Sequence, residues 1–209
     1  SDDEVKNLID DNVLVKPKGS RWNAETEART LASLIALRKA VKKYNINHSV
    51  TFHSSIAKAD AFMQSQEPFT EKYKQFSSVD AYHVAGSMPT AQRSKVIDAF
   101  ASSKKAIITN ARCLTEGVDV PSIDGVLFAD PRKSTIDIVQ AVGRALRKSK
   151  GKDFGYVILP VFTKSKTKEE VIKSDAFQDI LMTLRALASN DERIIEYFRD
   201  KSSGKTSSS

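Results

Sequence analysis

The chain has 209 residues, 40% of them hydrophobic and 28% charged, which suffices for one domain with a buried core, or one domain plus an appendage. No apolar run approaches the ~20 residues that span a bilayer, Ser1-Asp2-Asp3-Glu4 lacks the character of a secretory signal, and the single cysteine, Cys113, excludes an internal disulfide; a cytoplasmic protein without a membrane partner is expected. The formal net charge of +7 favours a polyanionic partner, nucleic acid first.

Residues 1–21 are charged and then run into Pro17-Lys18-Gly19-Ser20, which reads as a linker or arm. A helix is predicted from Asn23, its N-cap, with Glu25 and Glu27 in the first turn and Leu31, Leu34, Ile35, Arg38 and Val41 along one face. Lys39, Lys42 and Lys43 close it. Ser49-Val50-Thr51-Phe52-His53 reads as the first strand, followed by a helix through Ala57, Phe62 and Met63. Ala81-Tyr82-His83-Val84-Ala85 reads as the second strand, ending at Gly86, and Pro89 opens a helix through Val96, Ile97 and Phe100. Ala106-Ile107-Ile108-Thr109 and Gly125-Val126-Leu127-Phe128-Ala129 are the third and fourth strands. Ser134 with Asp137 forms a capping box for the next helix, and Tyr156-Val157-Ile158-Leu159-Pro160 is the fifth strand.

Strands and helices alternate, and the strands are continuous apolar runs. A parallel sheet with helices on both faces is therefore expected, an α/β domain over residues 22–163. A lysine-rich hinge begins a helical C-terminal appendage over 164–200, whose apolar positions include Phe177, Ile180, Leu181 and Leu184. Residues 201–209 are low in complexity and predicted to be disordered.

The densest chemistry lies in Gln140-Ala141-Val142-Gly143-Arg144-Ala145-Leu146-Arg147. This pattern puts an amide and two guanidinium groups at i, i+4 and i+7, one face of a helix with ~3.6 residues per turn. The mean direction of Ile136, Val139, Val142 and Leu146 lies roughly 110° away, so the apolar stripe can rest on a sheet while the polar face looks outward. Two rigid forks and an amide suit something planar, anionic and oxygen-rich, and a triphosphate fits. Held by a buried helix, they are preorganised for charge that develops on a transferring phosphoryl group. The plain alternative is a basic helix end that complements the macrodipole.

Upstream, Thr109-Asn110-Ala111-Arg112-Cys113-Leu114-Thr115-Glu116-Gly117-Val118-Asp119-Val120-Pro121 leaves the end of a strand, where ligands of open α/β sheets bind. Gly117 and Asp119 can offer backbone N–H groups and a carboxylate; taken singly, turn chemistry explains each.

Together these segments resemble the C-terminal RecA-like half of a superfamily 2 helicase or translocase, nearest the restriction-enzyme-like and DEAD/DEAH-box branch. Residues 109–121 look like motif V and residues 140–147 like motif VI. Val50-Thr51-Phe52-His53-Ser54-Ser55 is similar, more loosely, to motif IV, and Tyr82-His83-Val84-Ala85-Gly86 with residues 89–100 looks like the segment between. The 109–119 loop is longer than in DEAD-box proteins and Gln140 stands where those carry His, which points to DNA in preference to RNA. The resemblance implies that Arg144 contacts the terminal phosphates of ATP, that Arg147 is the arginine finger, and that Gln140 orders the γ-phosphate or the attacking water. It implies that Gly117 and Asp119 meet the nucleotide. Thr109, Ser54, Ser55 and Gly86 would bond nucleic-acid phosphates, positioning a strand without reading its bases.

It further implies ATP and Mg²⁺ held mainly by an N-terminal RecA-like domain of the same polypeptide. No P-loop occurs here: the only Gly-Lys-Thr is Gly204-Lys205-Thr206, with Arg199 in place of the first glycine. No DExD/H box occurs, and Val126-Leu127-Phe128-Ala129-Asp130, a Walker B outline, is followed by Pro131 and no glutamate. This chain alone is expected not to hydrolyse ATP.

His48, His53 and His83 show no Cys/His spacing for a metal, so structural or surface roles are expected of them. Cys113 has no activating partner in sequence, and Trp22 reads as packing at the domain entrance. Two further readings stay open: a non-catalytic nucleic-acid-binding module that retains the fold, and a regulatory domain whose arginines act on a neighbouring subunit.

Overall fold

A computed structural model describes residues 14–16, 18–19, 24–111, 123–129 and 155–160, and places Gln178, Met182 and Arg185 in helix. In chain order the elements are α1 (Ala24–Lys43), β1 (His48–Phe52), α2 (Ile56–Gln64), α3 (Gln66–Lys72), β2 (Asp80–Ala85), α4 (Thr90–Ser102), β3 (Ala106–Ala111), β4 (Gly125–Phe128) and β5 (Tyr156–Ile158). The five strands form one sheet in the order β2-β3-β1-β4-β5, and every pairing is parallel. After β1 the chain passes to the far edge at β2 and returns to β3; it then crosses β1 to reach β4 and β5.

Alternation along each strand sorts the core into two layers. Val50, Phe52, Val84, Ile108, Val126 and Phe128 face one side with Ile97 and Phe100 of α4. Ile107 and Leu127 face the other, beneath Leu31, Leu34, Leu37 and Val41 of α1, Phe62 of α2 and Phe69 of α3. With both faces covered, the central strands carry apolar residues on each side, interrupted by the buried polar positions Ser49, Thr51, Thr109 and Asn110. The expected α/β class, a parallel sheet with helices on both faces, is what the chain adopts. The Asn23 cap, the Ser134/Asp137 capping box, residues 201–209 and all of the appendage except those three helical positions lie outside the described residues.

The expected helix through Ala57, Phe62 and Met63 is α2, and a second short helix, α3, which the sequence reading did not include, follows it directly. Pro68 has no N–H for the Gln64 carbonyl, and its ring would clash there in a continuous helix. The break falls at Ser65, which is fully buried. Its N–H and hydroxyl both donate to the Ala61 carbonyl, at 3.0 and 2.8 Å, and its oxygen accepts from the Val15 N–H at 2.9 Å. Pro68 then sits in the first turn of α3, where its missing N–H has no helical partner to lose.

Arg38 ties α3 and the loop after it to α1. It occupies the inward stripe and is 1% exposed. Its guanidinium donates to the Gln66 side chain at 3.4 Å, the Thr70 hydroxyl at 2.5 Å and the Ser77 carbonyl at 2.6 Å. At the amino edge of the sheet, the Asp124 carboxylate accepts from the N–H groups of Asn47 and His48, at 2.9 and 3.2 Å, and so fixes the start of β1 against β4.

Candidate functional site

All five strands point the same way, so every strand exit lies on one edge. The exit of β1 leads toward β2 and that of β4 leads toward β5, which opens a crevice between β1 and β4, the usual ligand position in such sheets. His53 extends β1 by one residue. Its N–H donates to the Asn110 carbonyl at 3.0 Å, and its ring lies 4.8 Å from that of Phe62. Nε2 of the same ring is 2.9 Å from the Thr51 hydroxyl. With His53 anchored, the chain turns outward at Ser54 and Ser55, both exposed.

Ser55 caps α2: its oxygen accepts from the Lys58 N–H at 3.2 Å. Ser54 accepts from the Lys58 ammonium at 2.9 Å. Two hydroxyls, a helix N-terminus and a cation therefore share one exposed corner, a combination suited to an anionic oxygen. Gly86, also exposed, follows β2, and the Met88 N–H closes the turn there on the Ala85 carbonyl at 3.1 Å. Ser54, Ser55 and Gly86 thus stand on the same edge.

Thr109 has another partner than the one expected. It is fully buried, and its hydroxyl lies 2.9 Å from Nδ1 of His83. Register explains the pairing: His83 sits opposite Thr109, and Thr109 opposite Thr51. A polar row thus runs across the sheet on the α2 side. The Thr109 hydroxyl in this arrangement is turned to His83 and away from solvent. Burial lowers the His83 pKa from its ordinary 6.5, opposed by the charge of Asp60 and by a backbone hydrogen bond at Thr109.

Gln140, Arg144, Arg147, Gly117 and Asp119 lie outside the described residues. The segments that carry them leave the sheet at the ends of β3 and β4, on the same edge as the serines. Ala129, the first residue beyond β4, donates its N–H to the Phe52 carbonyl at 3.1 Å. A cavity of about 80 Å³ lies between the β1 and β4 exits, and Thr26, Arg29, Ser33, His53, Lys58 and Ala129 line it. A second, of about 520 Å³, lies beside the β2 exit. Lys58 and His83 belong to this edge although neither was singled out as a site residue. For Lys58 the available signal was its spacing, four residues after Ser54 and in the first turn of the helix that follows. For His83 there was none, because its partner is set by strand register.

The sequence matches the helicase conserved C-terminal domain over residues 31–149, more than half of the chain. The chain belongs to this family. A probable helicase of African swine fever virus, A859L, is 29% identical over 178 residues, which cover 85% of this chain and 20% of the viral protein. The putative ATP-dependent helicase IRC3 of Saccharomyces cerevisiae is 29% identical over 82 residues, 39% of this chain and 12% of that protein. Among solved structures, the ATP-dependent Type ISP restriction-modification enzyme LlaBIII bound to DNA aligns with a TM-score of 0.62 at 26% identity, covering 91% of this chain and 15% of that one. S. cerevisiae Dbp5 bound to RNA and ADP BeF3 aligns with a TM-score of 0.51 at 13% identity, over 76% of this chain and 37% of Dbp5, and shares the fold. The helicase C-terminal domain described here spans a fifth or less of the length of these curated relatives. Among the described residues, no helix is long and apolar enough to cross a membrane.

Proposed function

We propose that this domain is the second motor domain of an ATP-dependent helicase or translocase acting on DNA. The observation that carries the reading is the shared edge. Ser54, Ser55 and Gly86 stand at strand exits on the side from which the segments with Gly117, Asp119, Gln140, Arg144 and Arg147 depart. In this reading Ser54, Ser55 and Gly86 hold strand phosphates, with Lys58 beside them. Arg144 and Arg147 bind the terminal phosphates of ATP, Gln140 orients the attacking water, and Gly117 and Asp119 meet the nucleotide. ATP supplies the phosphoryl group, and these residues bring preformed donors to its oxygens.

Among the described residues, no group of three or more His, Cys, Asp or Glu side chains is arranged to hold a metal ion. The Mg²⁺ ligands and the phosphate cradle are assigned to a P-loop domain of the same polypeptide. DNA is favoured over RNA because the Type ISP enzyme that aligns over 91% of this chain is bound to DNA, and because Gln140 stands where DEAD-box proteins carry His.

The test is Arg147→Ala in the full-length protein. Nucleotide affinity should stay within a few-fold while DNA-stimulated turnover falls by about 10³ or more, the share of an arginine finger. Unchanged turnover removes the finger assignment, and stimulation by RNA in place of DNA overturns the choice of strand. Binding should weaken steeply with salt and be indifferent to sequence.

A further inference from the structure

We propose that the cavity of about 520 Å³ beside the β2 exit receives one unstacked base of the strand whose phosphates pass Ser54, Ser55 and Gly86. This rests on the strand track proposed above. The volume is that of pockets enclosing small ligands. Ala57, Ala61 and Ala85 line the cavity, with Ile56 and Met88 beside them and His83 among them. Three alanines leave space that larger side chains would fill. Ala61 and Ala85 are themselves 4% and 3% exposed, so this lining belongs to the packed body of the domain.

The mouth of the cavity is unusual for a helix start. Ile56 is the first residue of α2, directly after Ser55, and it is 46% exposed. An apolar wall one residue from a phosphate-holding serine is where the base of that nucleotide falls. Apolar and aromatic surfaces take the faces of bases without regard to sequence. Lys16 and Lys18, both exposed, also line the cavity and place positive charge where the flanking phosphates run. Asp60 lines it too and is held by the Gln64 amide at 2.7 Å. A carboxylate there repels a phosphate but tolerates a neutral base, which decides between the two as occupant. A seated base lies against the His83 ring, which holds Thr109 two residues before the end of β3.

The experiment uses the full-length protein and two single strands of equal length. One is oligothymidylate; the other has the same backbone with every base replaced by hydrogen. Ile56→Ala and Met88→Ala, singly and together, should weaken binding of the base-bearing strand by about tenfold and leave the abasic strand unchanged. Ile56→Leu, which keeps an apolar wall, should restore the parent affinity. Equal weakening of both strands would show that these residues act through the backbone or the fold, and unaltered binding of both would show an empty cavity; either result overturns the proposal. If the parent protein binds neither strand in a salt-dependent way, the track itself falls and the base site with it. A track without a base site instead leaves both strands bound and the variants indistinguishable from the parent.

Discussion

Replacing Arg38 separates the packing of its stem from the bonding of its charge. The side chain is 1% exposed, its three acceptors are uncharged, and its guanidinium carbon lies 5.9 Å from the centre of the Phe69 ring. Burial pulls its pKa down to about 10, which still leaves it protonated at neutral pH. At about 1.4 kcal/mol per pKa unit, that shift corresponds to about 3 kcal/mol of desolvation, reduced to about 2 because Ser77 is open to water. Hydrogen bonds from a charged donor contribute about 1.5–3 kcal/mol each, the 3.4 Å contact to Gln66 least. Arg38→Met keeps the stem packed on Phe69 and removes the desolvation together with the bonds. The net loss should be about 1–2 kcal/mol, chiefly because the buried Gln66 carbonyl loses this donor. Arg38→Ala also deletes the stem and should lose about 3–5 kcal/mol. Urea unfolding of the 209-residue chain measures both. A methionine variant as unstable as the alanine variant would refute the division, since the whole contribution would then lie in the guanidinium.

His83 should make stability depend on pH. Its pKa is lowered in the folded chain, so below the unfolded value of 6.5 the unfolded chain binds a proton that the folded chain resists. Stability is full above that value and falls as the pH drops below it. His83→Gln should flatten the decline in urea midpoint between ~pH 7.5 and ~pH 5.5, and identical slopes would show that the ring is not desolvated. Ser49 is fully buried, and among the described residues its hydroxyl has no hydrogen bond. Ser49→Ala should therefore stabilise the chain by about 1 kcal/mol, read as a rise in thermal midpoint; a fall would reveal a partner for the hydroxyl.

What was legible in the sequence follows from which interactions are local. Each of the five strands lies within two residues of its expected bounds, because strands covered on both faces are rich in apolar residues bounded by polar turns. Their order was not legible: the crossing from β1 to β2 and back depends on which helix reaches which face. Arg38 shows how local signals conflict. Its spacing with Leu31, Leu34 and Val41 put it on the buried stripe, and its charge argued for the surface. Spacing prevailed because Gln66, Thr70 and Ser77, 28 to 39 residues away, bring oxygens to the guanidinium. Ser54, Ser55 and Gly86 were named through the resemblance to motif IV and the segment after it, and each lies just beyond a strand end. Thr109 met the same rule, since it also stands near a strand end, yet its hydroxyl points inward to a histidine 26 residues earlier. Strand position decides the edge, but parity along the strand decides the face, and the face of Thr109 is the one α2 covers. Any effect of Thr109 on a bound strand must therefore pass through His83 or the backbone, so His83→Gln and a Thr109→Val exchange should perturb strand binding in the same direction and less than additively.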